Sequence, residues 1–298
     1  MIHHHQSTAV NPSRVVILGA SGFVGSDLIA YLREQRILVV GYSSHELDLL
    51  KPQSVEQLRQ AVLPDDVLVF ASTITPDKGK DIRTLMRNLT MGEHVAAFLE
   101  NFPCSHVVYI SSDAVYDDVT SPVREDSPCN PSSFHGVMHL ARERMLAYAV
   151  QKSKTPLLCV RSTLLYGAND THNGYGPNRF VRTALKDRLI KLFGDGEEKR
   201  DHLHIRDLSK LIGQCLSYRS TGVLNAATGH SSSFLEIAEC IMKERPGTRL
   251  ECQPRATSIT HRHFDTTAIL RNFPTMRITS LHDGLATMLT ALTMRAAA

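Results

Sequence analysis

A glycine-rich turn near the start of the chain has the chemistry of an anion-binding site. The segment GASGFVG places Gly19, Gly22 and Gly25 between an apolar run at 14–19 and an amphipathic segment. Glycine lets the backbone turn tightly and lets a pyrophosphate approach the amides at a helix N-terminus. Because a buried strand precedes the turn and a helix follows it, we predict a dinucleotide-binding turn rather than a flexible connection.

Two histidines could carry acid–base chemistry. His135 and His139 lie in the segment HGVMHLARE, and their spacing puts both imidazoles on one face of a helix. An imidazole with its ordinary pKa of about 6.5 can act as a general base. A helical His-x-x-x-His pair can also ligate a metal. The candidates for a third ligand are His202, His204, His261 and His263. Because no spacing singles one of them out, we predict no metal site.

The elements that must position these residues alternate between short apolar runs and longer amphipathic segments. Strands are predicted at 14–19, 37–42, 66–72, 106–112 and 157–161. Helices are predicted at 22–34, 81–101 and 132–151, and a further helix is predicted to begin near residue 52. After a Gly- and Asn-rich loop, further helices are predicted near 178–187, 207–217, 234–244 and 280–295. Strands separated by helices pair in parallel. The pattern therefore predicts an α/β protein with a Rossmann-type doubly wound parallel sheet and a smaller C-terminal α/β substrate domain.

The same pattern predicts how the chain is divided. Residues 1–13 are expected to form a disordered tail, and residues 14–170 a dinucleotide-binding domain. A return segment near 203–229 is expected to rejoin that domain, while residues 171–298 form mainly the substrate-binding domain.

Composition excludes several classes of protein. The 298 residues are 42% hydrophobic and 21% charged, and their net charge of +3 comes from mixed signs. This mixture argues against a nucleic-acid binder, and no apolar run approaches the roughly 20 residues that span a bilayer. The cysteines are scattered at 104, 129, 159, 215, 240 and 252 without a CxxC pair. Such spacing is typical of free thiols in a reducing cytoplasm.

Three further segments resemble one protein family. HVVYISSDAVYDD resembles the active-site strand of the extended short-chain dehydrogenase/reductase superfamily, in its NAD-dependent epimerase/dehydratase family. RSTLLYG resembles that family's R-x-x-x-x-Y-G-P segment, and FGDGEEKRD resembles its G-D-G-x-Q-x-R-D segment. The resemblance runs from Arg14 to Gly229 and implies an enzyme that modifies nucleotide-linked sugars.

The resemblance also implies a catalytic set with one departure from the family. Ser112 would hydrogen-bond the reacting sugar hydroxyl, and Asp113 follows it as in dehydratases and reductases, although Ala114 replaces the dehydratase Glu. His135 and His139 stand where the family has Tyr and Lys. His135 would be the base, and His139 would orient it or hold the nicotinamide ribose.

These residues imply hydride transfer at a sugar carbon by an NAD(P)-dependent nucleotide-sugar epimerase or dehydratase. One alternative is a catalytically inactive protein that binds NAD(P) and a nucleotide sugar. A second alternative is an NADPH-dependent reductase of 4-keto-sugar nucleotides.

Cofactor contacts follow from the glycine turn and the resemblance. The expected residues are Gly19, Ser21, Gly22, Phe23, Val24, Gly25, Ser43, Ser44, Asp48, Leu49, Ala71, Ser72 and His139. The second strand ends in Gly41-Tyr42-Ser43-Ser44, without a carboxylate that would repel a 2′-phosphate. NAD and NADP both remain open, with a slight preference for NADP.

Substrate contacts are expected chiefly from an arginine. Arg200 would bind the substrate diphosphate, because a guanidinium group can bind two oxygens at once. The alternative role for Arg200 is a surface ion pair with Asp201 or Glu197. The expected set is Ser112, Asp113, Tyr166, Asn178, Arg179 and Arg200. The resemblance further implies a nucleotide-diphosphate sugar as partner and a homodimer through the helices at 81–101 and 132–151. No nucleic-acid or membrane partner is expected.

Overall fold

The computed structural model describes residues 2–297, in which strands and helices alternate. The strands are β1 (His3–His4), β2 (Arg14–Leu18), β3 (Leu38–Tyr42), β4 (Val67–Phe70), β5 (His106–Ser112), β6 (Leu157–Ser162), β7 (Leu164–Tyr166), β8 (Leu189–Phe193), β9 (Lys199–His204), β10 (Ser220–Ala226), β11 (Ser231–Ser233) and β12 (Arg249–Gln253). The helices are α1 (Phe23–Glu34), α2 (Ser54–Ala61), α3 (Ile82–Asn101), α4 (Phe134–Ala149), α5 (Pro177–Asp187), α6 (Ile205–Ser217), α7 (Phe234–Glu244), α8 (Thr267–Asn272) and α9 (Leu281–Ala297). Among these residues, no helix has the length and apolar character that crossing a bilayer needs.

The central sheet confirms the predicted doubly wound fold. Its strand order is β1-β10-β6-β5-β4-β2-β3, and every pair is parallel except the β1–β10 pair. Its strands are apolar on both faces because helices cover both. Val15 and Ile17 pack with the helices α1 and α6, whereas Val16 and Leu18 pack with α2 and α3 on the other face.

A second layer surrounds its own core. The strand pair β8–β12 and the helices α5, α7 and α9 bury Phe180, Ile190, Ile237 and Leu285 completely or almost completely. The strands β7, β9 and β11 form a separate three-stranded sheet in the order β11-β9-β7. Along the chain, each of them connects elements of the central sheet with elements of the second layer. From β9 the chain enters α6 and then β10, so it returns to the central sheet.

The N-terminal segment differs from the predicted disordered tail. His3 and His4 pair with Thr221 and Ser220 of the edge strand β10, and Ile2 is only 6% exposed. The His4 ring also stacks on Tyr218 at 4.8 Å between centroids. An edge strand presents unpaired backbone groups. His3 and His4 form hydrogen bonds with those groups of β10, so the segment is ordered from Ile2.

Candidate active site

The carboxyl ends of four neighbouring strands meet at one edge of the central sheet. Gly19 follows β2, Ser43 follows β3, Ala71 follows β4 and Asp113 follows β5. The strands β2 and β4 are neighbours, and the chain runs from β2 to β3 on one side but from β4 to β5 on the other. Ligands of doubly wound sheets bind at such a topological switch point.

The glycine turn has the shape that a pyrophosphate requires. Gly19 has a φ of +94°, and a Cβ atom there would lie 2.8 Å from the Ser72 nitrogen. A Cβ atom on Gly25 would lie 2.2 Å from the Gly19 carbonyl oxygen. The helix α1 starts after Gly22 without a side-chain cap, which leaves its first amides available to an anion. The residues present therefore fit a dinucleotide.

Five other predicted cofactor residues lie close to the glycine turn. Ser21, Phe23 and Val24 lie in the turn and the first turn of α1, and Ala71 and Ser72 follow β4 beside Gly19. Phe23, Val24 and Ala71 are partly buried against the hydrophobic core.

Asp48 and Leu49, by contrast, already have partners within the protein. The Asp48 carboxylate accepts a hydrogen bond from the Leu50 amide, and the Leu49 side chain is buried while its carbonyl oxygen lies 2.8 Å from His94 Nδ1. Only the exposed side of this segment can therefore touch a cofactor.

A carboxylate is present at the end of β3 after all. Glu46 folds back so that Oε2 accepts hydrogen bonds from the Ser43 amide, at 2.9 Å, and from the Ser43 hydroxyl. These bonds lower the pKa of Glu46. The strand end itself, Gly41 to Ser44, has no carboxylate, as the sequence predicts, but Glu46 reaches Ser43 through a turn. The Ser43 donors are thereby occupied by an ionised group.

Ser112 and Asp113 lie where β5 ends. The Ser112 hydroxyl accepts a hydrogen bond from the Ala114 amide at 3.2 Å and so caps a short 3₁₀ turn. Asp113 lies 3.5 Å from Arg262, whose guanidinium also donates to the Asp113 carbonyl oxygen. Burial raises the pKa of Asp113, and the Arg262 charge opposes that shift. Asp113 is thus a buried acidic group at the strand end whose charge Arg262 can balance.

The two histidines lie in the first turns of α4. Ser133 caps the helix by accepting from the Gly136 amide, and Gly136 lets the helix approach the 3₁₀ turn, since a Cβ atom there would lie 2.0 Å from the Ala114 oxygen. The His135 and His139 rings meet edge to face with 4.6 Å between centroids. The predicted proximity of the two imidazoles is therefore present.

The environment of each imidazole keeps it neutral. Burial lowers the pKa of His135 to about 4, and the charge of Arg142 adds to this. Burial places the pKa of His139 well below its ordinary value. His139 is 4% exposed, and its Nδ1 lies 2.7 Å from the Tyr109 hydroxyl in the core. This geometry suits the role of orienting His135, whereas the predicted contact with a ribose is not accommodated at that nitrogen.

Arg142 is a structural residue that the sequence did not single out. It is fully buried, donates to the carbonyl oxygens of Asn88 and Ser72, and stacks over Phe70. It joins α4 to α3 and to the loop after β4. An arginine within a helical run carries no sequence signal of such a role.

A cavity of about 500 Å³ opens beside Asp113. Arg200 and Arg255 line it together with the aromatic rings of Phe193 and Phe234. The predicted alternative partners of Arg200 were wrong: it pairs with Glu198, not with Asp201 or Glu197. The Asp201 carboxylate instead accepts from the amides of Thr228 and Gly229. Arg255 was missed because it lies in a polar segment without periodicity.

Three predicted substrate residues lie elsewhere. Tyr166 is fully buried against Gly284. Asn178 accepts from the Gly167 amide and donates to the Leu165 carbonyl oxygen, so it stabilises the turn after β7. Arg179 is exposed over the Tyr175 ring, beside a separate cavity of about 150 Å³.

The ring of Tyr166, on β7, belongs to the core of the second layer, and Asn178 and Arg179 lie at the start of α5, which packs within that layer. That packing turns the side chains at its start towards the backbone or towards solvent. The next helix, α6, is capped by His204, and the buried Asp207 carboxylate in its first turn accepts a hydrogen bond from the Thr279 amide.

A loop contact spans the cleft above these groups. His172, in the loop 167–176, lies 2.7 Å from the Asp77 carboxylate in the loop that follows β4. The contact joins the segment before α5 to the sheet edge that carries the glycine turn. Within residues 2–297, no group of three or more His, Cys, Asp or Glu side chains is arranged to hold a metal ion.

Comparisons with known proteins agree with this fold. Residues 15–227 match the family described as the NAD dependent epimerase/dehydratase family. The dTDP-D-glucose 4,6-dehydratase of Dictyostelium discoideum is 21% identical over 267 residues, which are 77% of this chain and 61% of that protein. The chain therefore spans less than two thirds of the length of that relative.

Two further proteins extend the comparison. The dTDP-4-dehydro-6-deoxyglucose reductase of Escherichia coli is 24% identical over 254 residues, 76% of this chain and 80% of the relative. The crystal structure of UDP-glucose 4-epimerase from Thermus thermophilus, in complex with NAD, superposes with a TM-score of 0.83 at 17% identity. That superposition covers 94% of this chain and 99% of the epimerase.

Proposed function

Because this chain belongs to the NAD-dependent epimerase/dehydratase family, we propose that it is an NAD(P)-dependent enzyme acting on a nucleotide-diphosphate sugar. The bound nicotinamide would accept or supply a hydride at one sugar carbon. The glycine turn would hold the dinucleotide, and the cavity beside Asp113 would hold the sugar nucleotide.

The observation that carries this proposal is the pair of arginines beside the strand end. Arg200 and Arg255 line the same cavity as Asp113. Paired guanidinium groups suit a diphosphate because each can grip two oxygens. The aromatic walls, including Tyr175 and Phe193 with ring centroids 4.9 Å apart, offer apolar surface to the rest of the ligand.

The residues around the reacting carbon would divide the proton chemistry. Ser112 would hydrogen-bond the reacting hydroxyl, and Asp113, whose pKa burial raises, would hold a proton for transfer. His135 would accept the proton of the reacting hydroxyl, and His139 would orient the His135 ring. The absence of Glu at Ala114 counts against the acid–base pair of the dehydratases, so epimerase or reductase chemistry is favoured.

A second candidate function is binding without catalysis. The low pKa of His135, about 4, makes it a weak proton acceptor. His139 is buried against Tyr109 and has no access to a ribose through Nδ1. A protein with these properties would bind its cofactor and sugar nucleotide without converting the sugar.

One experiment separates these functions. The purified protein is titrated with the oxidised and reduced forms of NAD and NADP. The cofactor that binds is then supplied in its oxidised form with UDP-, dTDP- and GDP-linked sugars, and in its reduced form with 4-keto sugar nucleotides, and turnover is followed. Isomerisation without net cofactor change supports an epimerase, and consumption of reduced cofactor with a 4-keto sugar supports a reductase. Binding without turnover of any of these supports the second candidate, and no binding of either cofactor refutes the proposal.

The proposal also places the protein in the cytoplasm, as a homodimer. Its cysteines are free thiols, three of them buried, which accords with a reducing compartment. The helices α3 and α4 present Ile82, Met86, Val137 and Tyr148 to solvent. A second copy that packs the same face against this one would bury all four side chains.

A further inference from the structure

Glu198 lies between the two arginines of the cavity. Its Oε1 accepts from Arg200 at 2.5 Å and its Oε2 accepts from Arg255 at 2.7 Å. The side chains of Glu198 and Arg255 are only 12% and 15% exposed, so water does little to screen the contact. The two guanidinium groups therefore share one carboxylate, much as they would share the oxygens of a diphosphate.

The charges at this place are already balanced. Arg255 also lies 3.4 Å from Glu197, so these two cations face two carboxylates. Asp113 of the same cavity has its own partner, Arg262. A dianionic ligand that approaches meets no excess positive charge while Glu198 remains in position, because like charges at contact distance repel. The ligand gains the attraction of both arginines only when Glu198 moves away.

The surrounding backbone allows the side chain alone to move. The Glu198 carbonyl oxygen accepts from the Phe234 amide, and the Gly196 carbonyl oxygen accepts from the Leu235 amide. These bonds hold the turn before β9 against the start of α7. A rotation of the Glu198 side chain would free both guanidinium groups without unfolding the turn.

We propose that Glu198 is an internal competitor for the diphosphate of the substrate. It holds Arg200 and Arg255 in place in the free protein and is displaced when the ligand binds. Ligands that offer only an anion then bind weakly, whereas a complete sugar nucleotide also gains its contacts with the aromatic walls. This inference rests on the proposed function in assigning the anion to a nucleotide sugar, but the competition itself does not.

The test compares two single substitutions that remove the same charge. Glu198→Gln and Glu197→Gln are titrated calorimetrically with inorganic pyrophosphate and with UDP, dTDP and GDP. Glu198→Gln is expected to bind pyrophosphate about tenfold more tightly than the wild type, which corresponds to about 1.4 kcal/mol. Glu197 is 44% exposed and makes one longer contact, so Glu197→Gln is expected to change the affinity less than about twofold.

Thermal unfolding gives a second readout. Without ligand, Glu198→Gln is expected to unfold at a lower temperature than the wild type, because two guanidinium groups lose their shared counter-ion. Pyrophosphate is expected to restore that temperature. An unchanged or weaker pyrophosphate affinity in Glu198→Gln, or an equal gain in Glu197→Gln, overturns the proposal.

The nucleotide arm separates this inference from the proposed function. If Glu198→Gln binds pyrophosphate more tightly while no variant binds a nucleoside diphosphate, the competition is supported and the sugar-nucleotide assignment fails. If all variants bind the nucleoside diphosphates equally well, the assignment stands and the competition fails.

Discussion

At the residue scale, the proton affinity of His135 is set by what surrounds it. The ring lines a cavity of about 290 Å³ with Ile74 and Lys80, and burial lowers its pKa to about 4. The neutral ring is the form that accepts a proton. It is therefore present at every pH above about 4.

If His135 is the base, its replacement should remove most of the turnover. His135→Ala is expected to lower kcat by about 10² or more, and the wild-type kcat/KM should hold its value as pH falls until the pH approaches 4. The measurement is the pH profile of kcat/KM with a verified substrate. His282→Ala, at an exposed position on α9, is the control and should behave as the wild type. Unchanged turnover in His135→Ala would exclude His135 as the base.

Glu46 acts at the same scale, on cofactor choice. Because its ionised carboxylate occupies the Ser43 amide and hydroxyl, a 2′-phosphate would meet both repulsion and a shortage of donors. We therefore expect the protein to bind NADH more tightly than NADPH, and Glu46→Gln to reduce the difference by about tenfold, or about 1.4 kcal/mol.

Fluorescence titration with both reduced cofactors measures this ratio. The control is Glu100→Gln, because Glu100 lies in the last turn of α3, near the opposite edge of the sheet. Equal affinity of the wild type for the two cofactors, or a ratio that Glu46→Gln leaves unchanged, would contradict the role of Glu46.

At the element scale, the placement of α4 decides whether the histidines reach the cleft. The helix starts at a Ser133 cap and packs on the 3₁₀ turn that contains Asp113. Gly136 is the point of closest approach, because the Ala114 carbonyl oxygen occupies the space of a Cβ atom. A glycine in the first turn of a helix therefore has a packing reason here.

Adding a methyl group at Gly136 should push the helix away from the strand end. Gly136→Ala is expected to destabilise the fold by about 1–3 kcal/mol, the usual cost of overpacking, and to lower turnover further than stability alone explains. Thermal unfolding and kcat are measured together. Arg144→Ala, at an exposed position on the same helix, should change stability much less; if both variants behave alike, the contact is unimportant.

At the scale of the whole molecule, buried imidazoles make the fold sensitive to acid. Burial lowers the pKa of His106, His135 and His202 to about 4, and that of His139 well below its ordinary value. Between pH 6.5 and 4 the unfolded chain therefore binds more protons at these sites than the folded chain. Each such proton lowers stability by about 1.4 kcal/mol per pH unit as the pH falls.

Two carboxyl groups oppose this trend. Burial raises the pKa of Asp201 to about 6 and raises that of Asp113, so both bind protons more readily in the folded state. Burial also lowers the pKa of His204, so five imidazoles outnumber the two carboxyl groups, and the melting temperature is expected to fall from pH 6.5 to pH 4. His202→Phe removes one titrating ring beside Phe234 and should make that fall shallower. A melting temperature that is constant or rises over this range would contradict the balance.

The exposed face of α3 and α4 gives a second prediction for the whole molecule. Met86 is 55% exposed and Tyr148 is 71% exposed, although both are large apolar side chains. Met86→Glu is expected to convert a dimer into a monomer, because a buried unpaired charge is costly at an interface. Sedimentation analysis reports the state. Leu270→Glu, at a 64% exposed position on α8, should leave the dimer intact; a wild-type monomer would refute the expected dimer.

The sequence alone determined the central sheet, the glycine turn and the family. These features depend on local patterns. Apolar runs such as VLVF at 67–70 form buried strands, and Gly19 and Gly25 are needed where other backbone atoms occupy the place of a Cβ atom. Helices such as α1 and α7 agree with the predicted ranges within one residue. The short strands β1, β7, β9, β11 and β12 were missed because two to six residues are too few to show a clear period.

Only the tertiary structure decided which side chains are free to meet a ligand. Arg255 reaches Glu198 across 57 residues of chain, and His4 meets Ser220 across 216. Tyr166 and Asn178 match the family pattern, yet packing buries them. Periodicity and motif spacing report on neighbours along the chain, whereas the charge balance at an anion site depends on which distant groups the fold brings within contact distance.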